Sequence, residues 1–536
     1  MLITALVSLA AAPPLVLFAV AAVPTAFANR HPVGFRSTVT STIAAALVAA
    51  AMAAGLLPLT GTVDRAILAA PTPLPVNVGI YFDPLAAVMN LLIATVGLVI
   101  ARFSVRSLDG EAGQGRFFKW LAFTIGSVLV LVVARNLLMF TVAWMLTSLG
   151  LHNLLLQYAD RPWAVWAARK KFLVSRLGDS FLLIALGLTL GCFGTADYAA
   201  IFARAEAMAA SGSLSWWGMA IGLCYVVGAM TKSAQVPFHS WLPDTMEAPT
   251  PVSALMHAGI INAGGFLVIR LSPLISLSHF SLDVLTLVGT ATALFGGLVM
   301  LTQTSIKRAL AFSTVAQMGF MMLQCGLGAF SAALLHIVAH SAYKAHAFLA
   351  SGSVLDAAAR LKTDAKPTTR NSWALALLPV AGIVAAVICL AVFFMSGIDP
   401  LRKPGMVVLG PVLTIALTTL LWQGFTSGRV LIAAGSLVTA VGVAAAYVLG
   451  VAGFELILAA SSVARSVPPA STLDLIVACV VIMGFLAVFT IQSASQFLTR
   501  MPAVRALSVH AANGFYLDIP ARQLTARVWG LTTPVP

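Results

Sequence analysis

Apolar residues run along this chain in blocks far longer than a soluble helix or strand needs, separated by short polar stretches. Runs of about 18 or more apolar residues cross a bilayer as helices. By that measure the pattern predicts spans at 2–24, 36–58, 77–101, 118–134, 136–157, 172–194, 215–236, 250–270, 283–302, 306–325, 328–355, 373–396, 406–424, 429–450 and 473–496. The block from Trp120 to Gln157 is too long for one helix and divides at Arg135–Asn136. The longest polar stretches, 102–119, 356–372 and 497–536, are too short to bury a core of their own. The expected fold is therefore all-α and polytopic, about 14–15 transmembrane helices over 1–496, with a tail at 497–536.

Composition agrees, with 60% hydrophobic and 9% charged residues against about 25% charged in a soluble domain. Of 31 basic residues, 22 follow odd-numbered spans and 7 follow even-numbered ones, while Lys232 and Lys344 lie inside spans. The positive-inside rule then puts the N-terminus outside and the C-terminus in the cytoplasm. The net charge of +14 is spread over short loops with no single basic stripe, so topology explains it better than nucleic-acid binding. Ala26-Phe27-Ala28 has the form of a signal-peptidase site. The stretch before it lacks a basic region, so it reads as the first span. The five cysteines show no metal or CxxC spacing and read as packing residues.

An ionisable side chain at the bilayer centre costs about 2.5 to 3.5 kcal/mol, so it should face a partner or water. Lys232 ends the run "GAMTKSAQVPFHSWLP". Pro237 has no N–H to offer the Ser233 carbonyl four residues earlier, which predicts a broken helix and a hydrated pocket. A lysine in such a pocket has the property a proton relay requires. His257 lies two turns into the next span; a lone buried histidine is more often a hydrogen-bonded core residue than a relay group. In "HIVAHSAYKAHAF", His336, His340 and Lys344 fall at i, i+4 and i+8, one helix face with groups about 6 Å apart. His346 points elsewhere, and Lys307 and Arg308 read as topology signals, with a second role at the relay's entrance left open. A second interruption, "FFMSGIDP" at 393–400, contains Ser396 and pairs with Pro237 as the sequence pointer to an inverted-repeat transporter. The tail from Val509 to Trp529 mixes aromatic, apolar and arginine residues, which suits a membrane surface, a partner or an ordered cytoplasmic segment equally.

The blocks "KSAQVPFHSWLPDTMEAPTPVSALMHAG", "SIKRALAFSTVAQMGF" and "HIVAHSAYKAHAFLASGSVL" closely resemble the antiporter-like subunit family. That family includes proton-pumping membrane subunits of respiratory complex I, large Mrp sodium/proton antiporter subunits and the B subunits of DAB-type inorganic carbon transporters. The resemblance runs from about Tyr81 to about Pro400. It implies two inverted five-helix repeats, here roughly 118–270 and 283–400, and lysines, histidines and a glutamate along the midplane. By position, Lys232 resembles the central lysine of the first repeat, and His257, His336, His340 and Lys344 match the connecting groups.

Two positions depart from the family pattern. Where a Trp-Glu pair is usual, the chain has Trp144-Met145; His152, about 20° around the helix from Met145, is the nearest substitute relay group. Ser396 stands where the twelfth helix usually carries a lysine. These departures and the features "ARKKFLVSRLGD" and "HAANGFYLDIPARQLTARVW" are most similar to the DAB B subunit. What that implies is a bacterial inner-membrane transport subunit, not itself an enzyme, conducting protons or Na+. It would drive CO2 or bicarbonate uptake with a large peripheral A subunit resembling a β-carbonic anhydrase. No cofactor is expected in this chain, and zinc is expected in the partner. The alternatives are a pump subunit of a complex I or hydrogenase assembly and an Mrp-type antiporter subunit.

Overall fold

A computed structural model describes residues 1–69, 77–211, 216–352, 373–397, 404–463, 472–498 and 501–530. Its long helices follow the apolar runs: α1 Leu2–Ala22, α2 Pro32–Thr60, α3 Pro84–Ser107, α4 Gln114–Val133, α5 Leu137–Leu155, α6 Pro162–Phe193, α7 Trp216–Lys232, α8 Thr250–Ala258, α9 Ala263–Arg270, α10 His279–Met300, α11 Ile306–Gly326, α12 Phe330–Leu349, α13 Trp373–Met395, α14 Pro404–Phe425, α15 Val430–Leu458 and α16 Thr472–Leu498. Among the described residues, thirteen helical units are long and apolar enough to cross a membrane, with α8 and α9 together forming one of them. The two remaining expected spans are helical as well. α7 is short at 17 residues, and α12 carries the charged stripe.

The all-α polytopic fold is borne out; one correction falls at the start of the third span. Residues 77–82 are a strand, β2 Asn77–Phe82, paired antiparallel with β1 Val63–Ala69. β-branched and aromatic residues favour the strand. The helix begins only where Asp83 caps it, accepting from the Ala86 N–H at 2.9 Å, with Pro84 at its first turn. Asp83 also takes both guanidinium nitrogens of Arg270 at the end of α9, at 2.7 and 2.9 Å, and both side chains are buried. Nearby, Arg135 between α4 and α5 bonds Asp64 of β1 at 2.5 Å and Asp197 at 2.8 Å. Burial opposes the Arg135 charge, but the two carboxylates outweigh it and hold its pKa above the ordinary value.

A second correction concerns α6, which starts at Pro162, ten residues before the apolar run. Lys170 and Lys171, counted above among loop charges, therefore point into the bundle and are buried. The third concerns helix breaks. α7 is broken as expected after Lys232. The twelfth span, however, is continuous from Trp373 to Met395, and Ser396 lies on the exposed turn that ends it, ahead of Gly397 at φ +67°. Ser396 donates back to the Phe393 carbonyl at 2.8 Å. Residues 398–400 of that motif lie outside the described residues. The second break falls in the eighth span instead, where α8 stops at Ala258 and α9 resumes at Ala263.

At the opposite end of the bundle from the hairpin, the tail folds back as helices α17 Pro502–Ala512 and α18 Ile519–Val528. Phe515 packs on Phe295 of α10 (ring centroids 6.1 Å), and Trp529 packs on Phe172 of α6 (6.2 Å) beneath Arg169. Val509, Leu524 and Val528 remain exposed.

Candidate functional site

Lys232 closes α7 in a polar cup made by α5. Its Nζ donates to Thr147 Oγ1 and Ser148 Oγ, both at 2.7 Å, and to the Trp144 carbonyl at 3.2 Å, and lies 4.6 Å from the Trp144 ring centre. α7 ends here because Ala234 takes φ +49° and the Gln235 N–H turns back to the Met230 carbonyl at 2.9 Å. The Ser233 carbonyl that Pro237 frees was expected to face water. Instead the Gln235 side-chain amide donates to it at 2.8 Å, while Trp241 Nε1 serves the Thr231 carbonyl at 3.2 Å. The break is thus largely satisfied by protein groups, as buried backbone requires.

A buried carboxylate lies near Lys232 on another helix. Asp179 of α6 is buried, pairs with Arg176 at 2.5 Å, and counts Lys232 and Lys171 among its charged neighbours. Lys171 donates to the Ser148 carbonyl at 2.6 Å, so Ser148 joins the two lysines. His152 lies beyond them: its ring packs on Phe172 at 5.7 Å, its Nδ1 is buried without a hydrogen-bond partner, and Lys171 and Arg176 are its charged neighbours. It belongs to the Lys171 end of the cluster and makes no hydrogen bond to Lys232.

From the broken segment, His239 is buried with its ring edge-on to Phe295 at 4.7 Å. Lys170 of α6 pairs with Asp244 at 2.8 Å, and Lys170 and Asp518 of the tail are the charged groups around His239. These polar groups lead from the Lys232 region to the end of the bundle that the tail covers.

The second cluster surrounds α12. The Leu310 carbonyl of α11 accepts from both Lys344 Nζ (3.1 Å) and Thr314 Oγ1 (3.0 Å). His257 Nδ1 sits 3.0 Å from Thr314 Oγ1; since that hydroxyl gives its hydrogen to Leu310, His257 is the donor. The His257 ring stacks on Phe348 at 4.3 Å. His340 and His336 follow along α12 with ring centroids 5.9 Å apart, and neither His340 nitrogen has a hydrogen-bond partner among the described residues. His346 is exposed, as expected from its angle.

The break in the eighth span connects the clusters. Ser233 Oγ donates to the Ile261 carbonyl at 2.6 Å. Asn262 donates to the Ala258 carbonyl and to Ser341 Oγ on α12, both at 2.9 Å, and its Oδ1 is buried without a partner. Gly264 lets α9 approach this closely, because a Cβ there would collide with Ser233 Oγ and the Ala229 carbonyl. Buried polar groups thus lie in sequence between the two clusters: Lys171, Ser148 and Lys232 on one side, then Ser233 on Ile261, and Asn262 on Ser341 of α12, the helix that carries the stripe. Lys170, Lys171, Asp179, Asn262 and Gln324 were missed by apolar-run reading. The eight-residue spacing of Lys171 and Asp179, which puts them on one helix face, was a signal available in the sequence.

Comparison with known proteins follows this geometry. Residues 134–428 match the family described as NADH:quinone oxidoreductase/Mrp antiporter, TM, and residues 69–118 match the complex I chain 5 N-terminus. The chain belongs to the antiporter-like membrane subunit family. It is 39% identical over 458 residues to a protein of Halothiobacillus neapolitanus named probable inorganic carbon transporter subunit DabB2, covering 84% of this chain and 80% of that one. It is 34% identical over 457 residues to the probable inorganic carbon transporter subunit DabB of Hydrogenovibrio crunogenus, covering 84% and 83%. The NADH-quinone oxidoreductase subunit L of Mycobacterium tuberculosis is 38% identical over 321 residues, 58% of this chain and half of that protein. In fold, the chain resembles a component of the Mrp complex from Dietzia sp., with a TM-score of 0.62 and 23% identity over 97% of this chain and 61% of the other. The antiporter-like fold, the membrane setting and the kinship with ion-translocating subunits follow directly.

Proposed function

We propose that this antiporter-like subunit carries protons inward along the path from His336, His340 and Lys344 to Lys232 and Lys171. Their downhill flow would drive uptake of CO2 or bicarbonate by a peripheral partner in a bacterial inner membrane. The observation that carries the reading is the presence of two buried lysines bonded to neutral oxygens, with the buried polar groups Ser233, Asn262 and Ser341 between their helices. One charge crossing 100 mV releases about 2.3 kcal/mol, enough to bias a hydration equilibrium more than tenfold. Carbon transport is favoured over a redox pump by the breadth of similarity to proteins named inorganic carbon transporter subunits. The absence of a titratable side chain other than Cys389 from α13 points the same way. In this reading the N-terminus is outside, the C-terminal tail is cytoplasmic, and the partner is a β-carbonic-anhydrase-like A subunit holding zinc.

The test is bicarbonate uptake in cells lacking other carbon pumps. Lys232→Ala and His340→Ala should abolish gradient-dependent uptake while both proteins still assemble with the partner. Full uptake by both variants would sink the relay. Zinc analysis of the co-purified partner tests its assignment, and Na+ replacement at constant membrane potential distinguishes the coupling ion.

A further inference from the structure

We infer that the Tyr447 hydroxyl, brought in by α15, and the Gln324 amide of α11 form the outer port of the relay at His336. The inference rests on the relay and orientation proposed above, with the start of α12 facing outside. His336 is the stripe member nearest that start, about 9 Å along the helix from Phe330.

His336 Nδ1 sits 3.0 Å from Gln324 Oε1. A carbonyl oxygen only accepts, so in the neutral ring Nδ1 carries the hydrogen and Nε2 is left as the open base. Nε2 is buried and has no hydrogen-bond partner among the described residues. The Phe320 ring closes another side of the imidazole, with centroids 5.7 Å apart. On the α15 side, the Tyr447 hydroxyl is buried, makes no hydrogen bond of normal geometry, and faces the Gln324 side chain. α15 packs tightly on α12, since a Cβ at Gly450 would lie 3.0 Å from the Leu335 side chain. The far end of α15 reaches the hairpin, where Ser462 and Tyr81 hydroxyls meet at 2.5 Å. Tyr447 thus lies between the stripe and the hairpin end of the bundle.

The lysine that the family resemblance implies at position 396 is absent. α13 has no Asp, Glu, Lys, Arg or His between Trp373 and Met395, and Ser396 is exposed at its end. α15 brings the Tyr447 hydroxyl to this end of the stripe.

The proton balance is simple. A hydronium at the port gives one proton to His336 Nε2, leaving water and an imidazolium; passage of one proton to His340 restores the neutral ring. Tyr447 keeps its own proton and orients the incoming water as both donor and acceptor, so it is a positioning residue. Gln324 fixes the tautomer.

Uptake is measured against external pH in cells whose only carbon pump is this complex, using Tyr447→Phe and Tyr447→His. Tyr447→Phe should lose more than about tenfold of the uptake, with membrane abundance and partner co-purification unchanged. Tyr447→His should recover uptake and make it follow external pH through the ordinary histidine range near 6.5. Wild-type uptake by Tyr447→Phe overturns the inference. So does loss in both variants with no change in pH profile, which marks a packing role. His340→Ala run in parallel separates the levels: His340→Ala dead with Tyr447→Phe active removes only the port, and His340→Ala fully active removes the relay itself.

Discussion

Lys171 and Lys232 donate to the same residue: Lys171 Nζ meets the Ser148 carbonyl at 2.6 Å and Lys232 Nζ meets the Ser148 hydroxyl at 2.7 Å. Two ammonium groups held this close in a weakly screened interior repel, so a proton on one raises the cost of a proton on the other. Asp179, in contact with Arg176 and near both lysines, is the counter-charge. The two lysines thus meet at one residue, with Asp179 as the carboxylate charge beside them.

Lys232→Arg separates charge from proton transfer. The guanidinium stays protonated in proteins, so the cup keeps its cation but loses its exchangeable proton. Gradient-driven uptake should fall more than about tenfold, the scale of losing a proton-transfer group, with normal assembly. Uptake near the wild-type rate would show that Lys232 serves only as a fixed charge.

Asp179→Asn removes the counter-charge while keeping the side chain's shape. Uptake should drop severalfold or more, and adding Met145→Glu should not restore it fully. The residues that hold Lys232 are 144, 147 and 148, and Met145 is not among them. Radiolabelled bicarbonate uptake by the single and double variants decides this.

Asn262→Leu should uncouple the two clusters. It removes the bond to Ser341 and leaves the Ala258 carbonyl without that donor, at a stability cost of about 1–3 kcal/mol for an unsatisfied buried group. Uptake should fall far more than the melting midpoint of the purified complex. A proportional loss of both would reduce Asn262 to a structural brace.

Much of this site was legible from residues alone, and the failures have definite causes. Lys232 and the α12 stripe stood out because charge inside an apolar run is costly. Lys170 and Lys171 were hidden because they precede the apolar window, although α6 had already begun at Pro162. Asp179 was read as part of a motif rather than as a group in the bundle. The break at Gly259–Asn262 carries no proline, so only tertiary packing against Ser233 and Ser341 reveals it. The interruption expected at Ser396 failed because Gly397 there ends a full-length helix instead of splitting it.

Asp83 and Arg270 form a strut between the start of α3 and the end of α9. Asp83→Ala or Arg270→Met alone should destabilise the complex by about 3–5 kcal/mol, because each leaves an uncompensated buried charge. Asp83→Ala also deletes the α3 cap. The double variant should recover part of the loss, read as the midpoint of thermal aggregation in detergent.

The relay itself is tested most directly by proton flux into proteoliposomes holding the purified complex, followed with an internal pH dye under an imposed gradient. Wild-type complex should acidify the lumen when inorganic carbon is supplied, and complexes carrying Lys232→Met or His340→Ala should not. Equal acidification by both variants would mean that protons do not travel through Lys232 and His340.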